Sequence, residues 1–153
     1  WVLCQRVFVQ HFISSMRKGL PKEMSDQDLF SRFIYRLWTK DIVRYSDFDP
    51  DGHVNNGAVN QYFEDGRIAL RTDYMAGLEA DLLGGFAIKK FTATYNGALP
   101  YPATIDVGTV AVSIGNSSFV LAQSVFDRER CIATAEVTSV YFNPKKTGFK
   151  TAA

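Results

Sequence analysis

The chain has 153 residues, enough for one domain with its own core and too few for two. Charged side chains make up 22% of it and the formal net charge is +1, so no global field draws it to nucleic acid or to an anionic membrane, and any anionic ligand has to be held by local groups. The two cysteines, Cys4 and Cys131, match neither a metal-ligand spacing nor a disulfide framework, which fits a reducing interior and gives the expectation of a cytoplasmic protein.

Residues 1–24 are expected to be an N-terminal extension or an appended segment outside the core. Their apolar stretch is broken by Arg6, Gln10 and His11, falls short of the ~20 apolar residues of a membrane span, and lacks the charge order of a secretory signal. The domain proper is read as 25–144. After a polar approach over 25–31, the β-branched and aromatic run 33–45 predicts a strand. From Gly57 the period becomes helical: Val59, Tyr62, Phe63, Gly66, Ala69, Leu70 and Tyr74 form one face of a helix of about five turns. Gly66 costs that helix ~1 kcal/mol relative to alanine, which a close approach of the sheet would offset. Beyond a break at Gly84 and Gly85, strands are predicted over 86–95, 104–114, 117–127 and 131–142, with turns at Asn96-Gly97, Gly115-Asn116 and Arg128-Glu129-Arg130. The apolar positions change phase at Gly108, which predicts a bulge there. Residues 145–153 read as a tail. Consecutive strands with hairpin connections and one long helix give an α+β fold, an antiparallel sheet with the helix on its concave face.

Between the first strand and the helix lies DFDPDGHVNN, residues 47–56. Asp, Pro, Gly and Asn are turn material, and Asp47, Asp49, Asp51 and His53 can all be read as serving a turn. The same segment enters a helix N-terminus, where unpaired N–H groups and a partial positive charge polarise a carbonyl or hold an anion. A carboxylate upstream would act there as general base or nucleophile on an acyl group. Asn55 or Asn56 is the N-cap. The DxDxDG string also begins like a calcium loop, but Ala58 stands where a bidentate glutamate is needed.

The segment RYSDFDPDGHVNNGAVNQYFEDGRIAL, residues 44–70, resembles the signature region of hotdog-fold thioesterases of the 4-hydroxybenzoyl-CoA thioesterase and acyl-CoA thioester hydrolase type, and the later strands are similar to the rest of that fold. The resemblance covers roughly 37–144. It implies a hotdog fold, a curved antiparallel sheet wrapped around one long central helix, and an acyl-CoA thioesterase. It makes Asp49, the second aspartate of D-x-D, the reactive carboxylate, and the N–H of Asn56, seven positions on, the group that polarises the carbonyl, with Gly57 beside it. Plant acyl-carrier-protein thioesterases have an Asn and a His in this loop. The chain matches the latter with His53, read as catalytic or as shaping the loop, and has Asp51 in place of the former.

For the substrate, Ser117 and Ser118 match a position near the nucleotide entrance, or serve a turn. Lys89, Lys90, Arg128, Arg130, Lys145 and Lys146 are candidate phosphate partners or surface charges. Tyr62, Phe63, Phe86 and Phe91 line an acyl pocket or the core. Glu64 and Arg67, at i,i+3, read as a structural or interface ion pair. The resemblance further implies a homodimer or homotetramer with the active site at the subunit interface, which would also cover an open sheet edge. No metal or cofactor is expected, since coenzyme A belongs to the substrate. Two alternatives remain, a non-catalytic acyl-CoA binder and a hotdog dehydratase or hydratase acting on thioester-linked chains.

Overall fold

The computed structural model describes residues 2–21, 23–74 and 86–141; the expected break at Gly84-Gly85 and the tail 145–153 lie outside the described residues. In chain order the elements are α1 (Val2–Met16), β1 (Leu37–Val43), α2 (Asn56–Ala69, continued by a wider π turn over Leu70–Tyr74), β2 (Phe86–Tyr95), β3 (Ala103–Ile114), β4 (Ser118–Asp127) and β5 (Arg130–Tyr141). The strands form one antiparallel sheet in the order β1-β3-β4-β5-β2, so β1 and β2 are its edges. The sheet is curved and α2 is its long helix, which is the hotdog architecture. Among the described residues, no helix is long and apolar enough to cross a membrane.

The faces follow from alternation along the strands. Ile105, Val107, Val125, Ala133 and Ala135 point at α2 and pack on its Val59, Tyr62 and Phe63. Each valine, isoleucine or phenylalanine side chain among these contributes ~1.5–3 kcal/mol when taken from water, and each alanine less. Gly66 sits where the helix comes closest: a Cβ there would lie 2.9 Å from Val107 Cγ1 and 3.0 Å from Gln123 Nε2. The predicted close approach therefore exists.

Three expectations change. Within residues 1–24, Ile13 and Met16 of α1 belong to the core: they are buried against Leu37, Leu70, Ala111, Phe119 and Leu121, on the face that α2 also covers. The start of the predicted strand 33–45 is instead a 3-10 turn over Arg32–Ile34, because Ile34 and Tyr35 turn onto the opposite face. There, with Leu20, Met24 and Leu29, they cover Val110, Ala122 and Phe126. The apolar phase change in β3 thus marks burial on both faces. The irregularity lies between Ala111 and Ser113, and Gly108 is glycine because a Cβ would fall 2.5 Å from Tyr35 Cγ.

Candidate active site

The loop between β1 and α2 is a small closed hairpin. The Asn55 amide donates to the Asp47 carbonyl at 2.8 Å, Phe48 bridges Val54, and the Asp49 amide donates to the His53 carbonyl at 2.9 Å. At its tip the Gly52 amide returns to the Asp49 carbonyl at 3.1 Å, with Gly52 at φ +77°, a value that glycine takes without strain.

The carboxylates of this loop are unequal. Asp47 Oδ2 accepts from the Tyr62 hydroxyl at 2.6 Å and from the Arg44 amide at 2.7 Å, so Asp47 ties the loop to the helix. Burial first, and the Asp47 bond second, push the Tyr62 phenol well above its ordinary range. Asp49 Oδ1 accepts from the amides of Asp51 at 2.9 Å and His53 at 3.1 Å, while Oδ2 has no partner among the described residues. Asp49 is thus held by its own loop with one oxygen available.

At the helix start Asn55 is the N-cap, its Oδ1 accepting from the Gly57 amide at 2.7 Å. Its carbonyl takes the amides of Ala58 and Val59 at 2.9 and 3.2 Å. The Asn56 amide has no acceptor among the described residues, and it is the amide that the sequence singles out. A free N–H at the positive end of a helix is suited to a carbonyl oxygen gaining charge.

Beside it opens a cavity of about 370 Å³ walled by His53, Val54, Asn56 and Val59 on one side and by Tyr95 to Leu99 with Ile132 on the other. The second wall is held by the amides of Asn96 and Gly97, which share the Ile132 carbonyl at 2.7 and 3.1 Å, and by the Tyr95 hydroxyl on Asn60 Oδ1 at 2.8 Å. Sequence reasoning took Asn96-Gly97 only as a turn and missed Tyr95. The available signal was an aromatic residue closing a strand directly before that turn.

The structure brings Asp49, His53, Asn56 and Gly57 into one loop and helix start, although Asp49 and Gly57 do not line the cavity wall. Tyr62 and Phe63 are core residues, 1% and 0% exposed, and Phe91 packs on Phe63. Ser117 and Ser118 lie elsewhere: Ser118 pairs with Val140, eight residues along β5 from Ile132, or about 26 Å at the usual strand rise. Lys90 is exposed on edge strand β2, five residues before Tyr95. Within one chain, none of these three reaches the cavity. Arg130 is engaged by Asp127 and the Ala98 carbonyl, and Lys145 and Lys146 lie outside the described residues. Glu64 and Arg67 make no ion pair; Arg67 donates instead to Gln123 Oε1 at 2.9 Å. No group of three or more His, Cys, Asp or Glu side chains gathers as a metal site among the described residues.

Comparison with known proteins places this geometry. The search of curated protein sequences returned no match. Among solved structures, a candidate thioesterase from Pseudomonas aeruginosa is 26% identical, with 76% of this chain and 91% of that one covered at a TM-score of 0.64. A thioesterase from Thermus thermophilus, solved with coenzyme A and zinc, is 24% identical over 71% and 80% of the two chains at 0.59. An aspartate-to-asparagine variant of 4-hydroxybenzoyl-CoA thioesterase, solved with 4-hydroxybenzoyl-CoA, is 14% identical over 72% and 86% at 0.62. The family model of the thioesterase-like superfamily matches residues 43–152, which takes in the loop, α2 and strands β2 to β5. The chain therefore belongs to the thioesterase-like superfamily, hotdog-fold proteins whose class of activity is thioester hydrolysis.

Proposed function

We propose that the chain is an acyl-CoA thioesterase acting on small or medium acyl- or aroyl-CoA, with Asp49 as the reactive carboxylate and the Asn56 amide as the group that polarises the thioester carbonyl. The observation that carries the reading is the pairing, within one braced loop, of a carboxylate with a free oxygen and a helix-start amide with no acceptor. The thioester carbonyl oxygen takes the Asn56 N–H, with the α2 dipole behind it. Asp49 Oδ2 then either attacks the carbonyl carbon, expelling the thiolate and leaving an anhydride that water opens, or takes a proton from a water that attacks directly. The amide contributes ~10²–10³ in rate by stabilising the oxyanion. Neither path draws on a metal or a redox cofactor.

His53 stands in the cavity wall and is the candidate third participant; Gly57, whose amide the Asn55 side chain caps beside Asn56, is the candidate substrate contact at the helix start. The same reading includes a cytoplasmic homodimer or homotetramer with the site at the subunit interface. The open β2 edge and the exposure of Asp51, His53, Asn56 and Gly57 in a single chain support it. In the related enzyme, a variant with asparagine in place of an aspartate was solved with its substrate. A corresponding role for Asp49 predicts that Asp49→Asn binds acyl-CoA without turning it over.

The test is free-thiol release from a panel of acyl- and aroyl-CoAs by the parent and by Asp49→Asn. The variant is expected to lose ~10²–10⁴ in kcat. Equal rates in the two proteins would remove Asp49 from the chemistry. A second reading, a non-catalytic acyl-CoA binder, is favoured by the absence of Asp49 from the cavity wall. It would be supported by acyl-CoA binding without thiol release from any member of the panel.

A further inference from the structure

Arg67 is a buried cation without a counter-charge. It is 7% exposed, Nη1 donates to Gln123 Oε1, and no carboxylate lies within ion-pair distance among the described residues. The Gln123 amide is fixed in this role because its Nε2 is engaged by the Phe63 carbonyl and Thr109 Oγ1, both at 3.0 Å. The remaining guanidinium N–H groups have no acceptor among the described residues, yet no unpartnered side-chain nitrogen is sealed from solvent. Burial weakens the hold of this guanidinium on its proton, and Glu64 one turn earlier partly restores it. A charge in such a place is costly unless it is paired.

The place itself indicates where a pair would come from. The guanidinium carbon lies 5.6 Å from the Phe91 ring, so the cation, bonded to Gln123 of β4, also faces a side chain of β2, one of the two edges of the sheet. Phe91 stands near the middle of β2 (Phe86–Tyr95) and also meets the Phe63 ring at 6.0 Å, which sets the middle of the edge strand level with residues 63–67 of α2. For a second copy paired antiparallel about the middle of β2, the two-fold axis falls at that level. The two α2 helices then run antiparallel, and residue 64 of each comes level with residue 67 of the other. Glu64 is exposed and makes no hydrogen bond or ion pair within its own chain among the described residues.

We propose that Glu64 of a second copy supplies the carboxylate for Arg67, twice across the two-fold axis, so that this charge pair is the specificity element of a β2-edge homodimer. The same symmetry sets Arg71 of the partner subunit level with Asn60, which holds Tyr95 in the cavity wall. The partner thereby contributes a cation beside the site. The pairing rests on the homodimer reading given above.

Sedimentation equilibrium of the parent, Glu64→Gln and Glu64→Lys across a range of protein concentrations tests it. Because Glu64 is exposed and unpartnered in the protomer, both variants are expected to keep the parent's circular dichroism. Removing one partner of a buried charge pair is costly and each substitution acts twice, so Glu64→Gln is expected to raise the dimer dissociation constant at least about a hundredfold, and Glu64→Lys further. A parent-like dissociation constant in Glu64→Lys overturns the pairing and leaves the dimer standing. A parent that is monomeric at every concentration overturns the dimer reading itself.

Discussion

Tyr62→Phe removes a single oxygen and tests how the candidate loop is held. The residue is 1% exposed and its hydroxyl donates to Asp47 Oδ2 at 2.6 Å, a bond to a charged group. Such bonds contribute ~1.5–3 kcal/mol. Phenylalanine fills the same volume, so no cavity is added, and Asp47 keeps the Arg44 amide. The expected loss of stability at pH 7 is therefore ~1.5–2 kcal/mol, toward the lower end of that range. The pH dependence is a second and more specific signature. Burial, with the Asp47 bond behind it, holds the Tyr62 phenol above its ordinary value, and burial does the same to Tyr35. An unfolded tyrosine releases its proton near pH ~10 while these two retain theirs in the folded state. The folded chain then binds more protons than the unfolded one, so this stability is fully present below pH ~10 and falls as pH rises beyond it. Each tyrosine contributes a slope of up to ~1.4 kcal/mol per pH unit, so the slope due to the pair should roughly halve in Tyr62→Phe. Lysines titrating in the same window are common to both proteins and cancel in the difference. Urea unfolding from pH 7 to 11 measures both effects. A variant within ~0.5 kcal/mol of the parent at pH 7, with the same slope above pH 10, would refute the role assigned to this hydroxyl.

Two further substitutions probe the helix that carries the amide. Gly66→Ala gains ~1 kcal/mol of helix propensity but drives a Cβ to 2.9 Å from Val107 Cγ1 and 3.0 Å from Gln123 Nε2, an overpacking that costs ~1–3 kcal/mol; denaturant midpoints should show a net loss. Asn55→Ala removes the acceptor for the Gly57 amide and should cost ~1 kcal/mol in unfolding experiments, and kcat should fall with it because the helix start frays beside Asn56.

Much of this fold was legible because its signals are local. The helical period from Gly57 onward marks the stretch that continues to Tyr74, and the turn residues at Asn96-Gly97 and Gly115-Asn116 fall between strands as read. What stayed hidden depends on which face is covered, and by what. An apolar residue announces burial without saying on which side. Ile105 and Val107 meet α2, whereas Val110 meets Ile34 and Tyr35 on the other face, and in the sequence that change of face is indistinguishable from a bulge at Gly108. Ile13 and Met16 were illegible for a related reason. Their helix is buried against residues distant in the chain, from Leu37 to Leu70 and Phe119, the last two more than fifty positions away. The candidate site divides in the same way: the loop residues are close in sequence and can be read together, whereas Tyr95 and Leu99 come to the cavity wall only through the fold.

The two asparagines at the head of α2 bear on how turn chemistry and the proposed reaction chemistry share one loop. A helix start has orphan amides, and a capping residue ordinarily satisfies as many as it can reach. Here Asn55 does so for residues 57–59, through Oδ1 and through its carbonyl. Its own amide is spent on Asp47, which Tyr62 braces in turn. Asp47 and Asp49 Oδ1 are thus spent on the turn, whereas the Asn56 amide and Asp49 Oδ2 have no partner among the described residues. On the proposed function, that acceptor and that donor are the two groups the reaction uses. A site for a polarised carbonyl and an attacking oxygen requires both, and requires the rest of the loop to be too well bonded to collapse onto them.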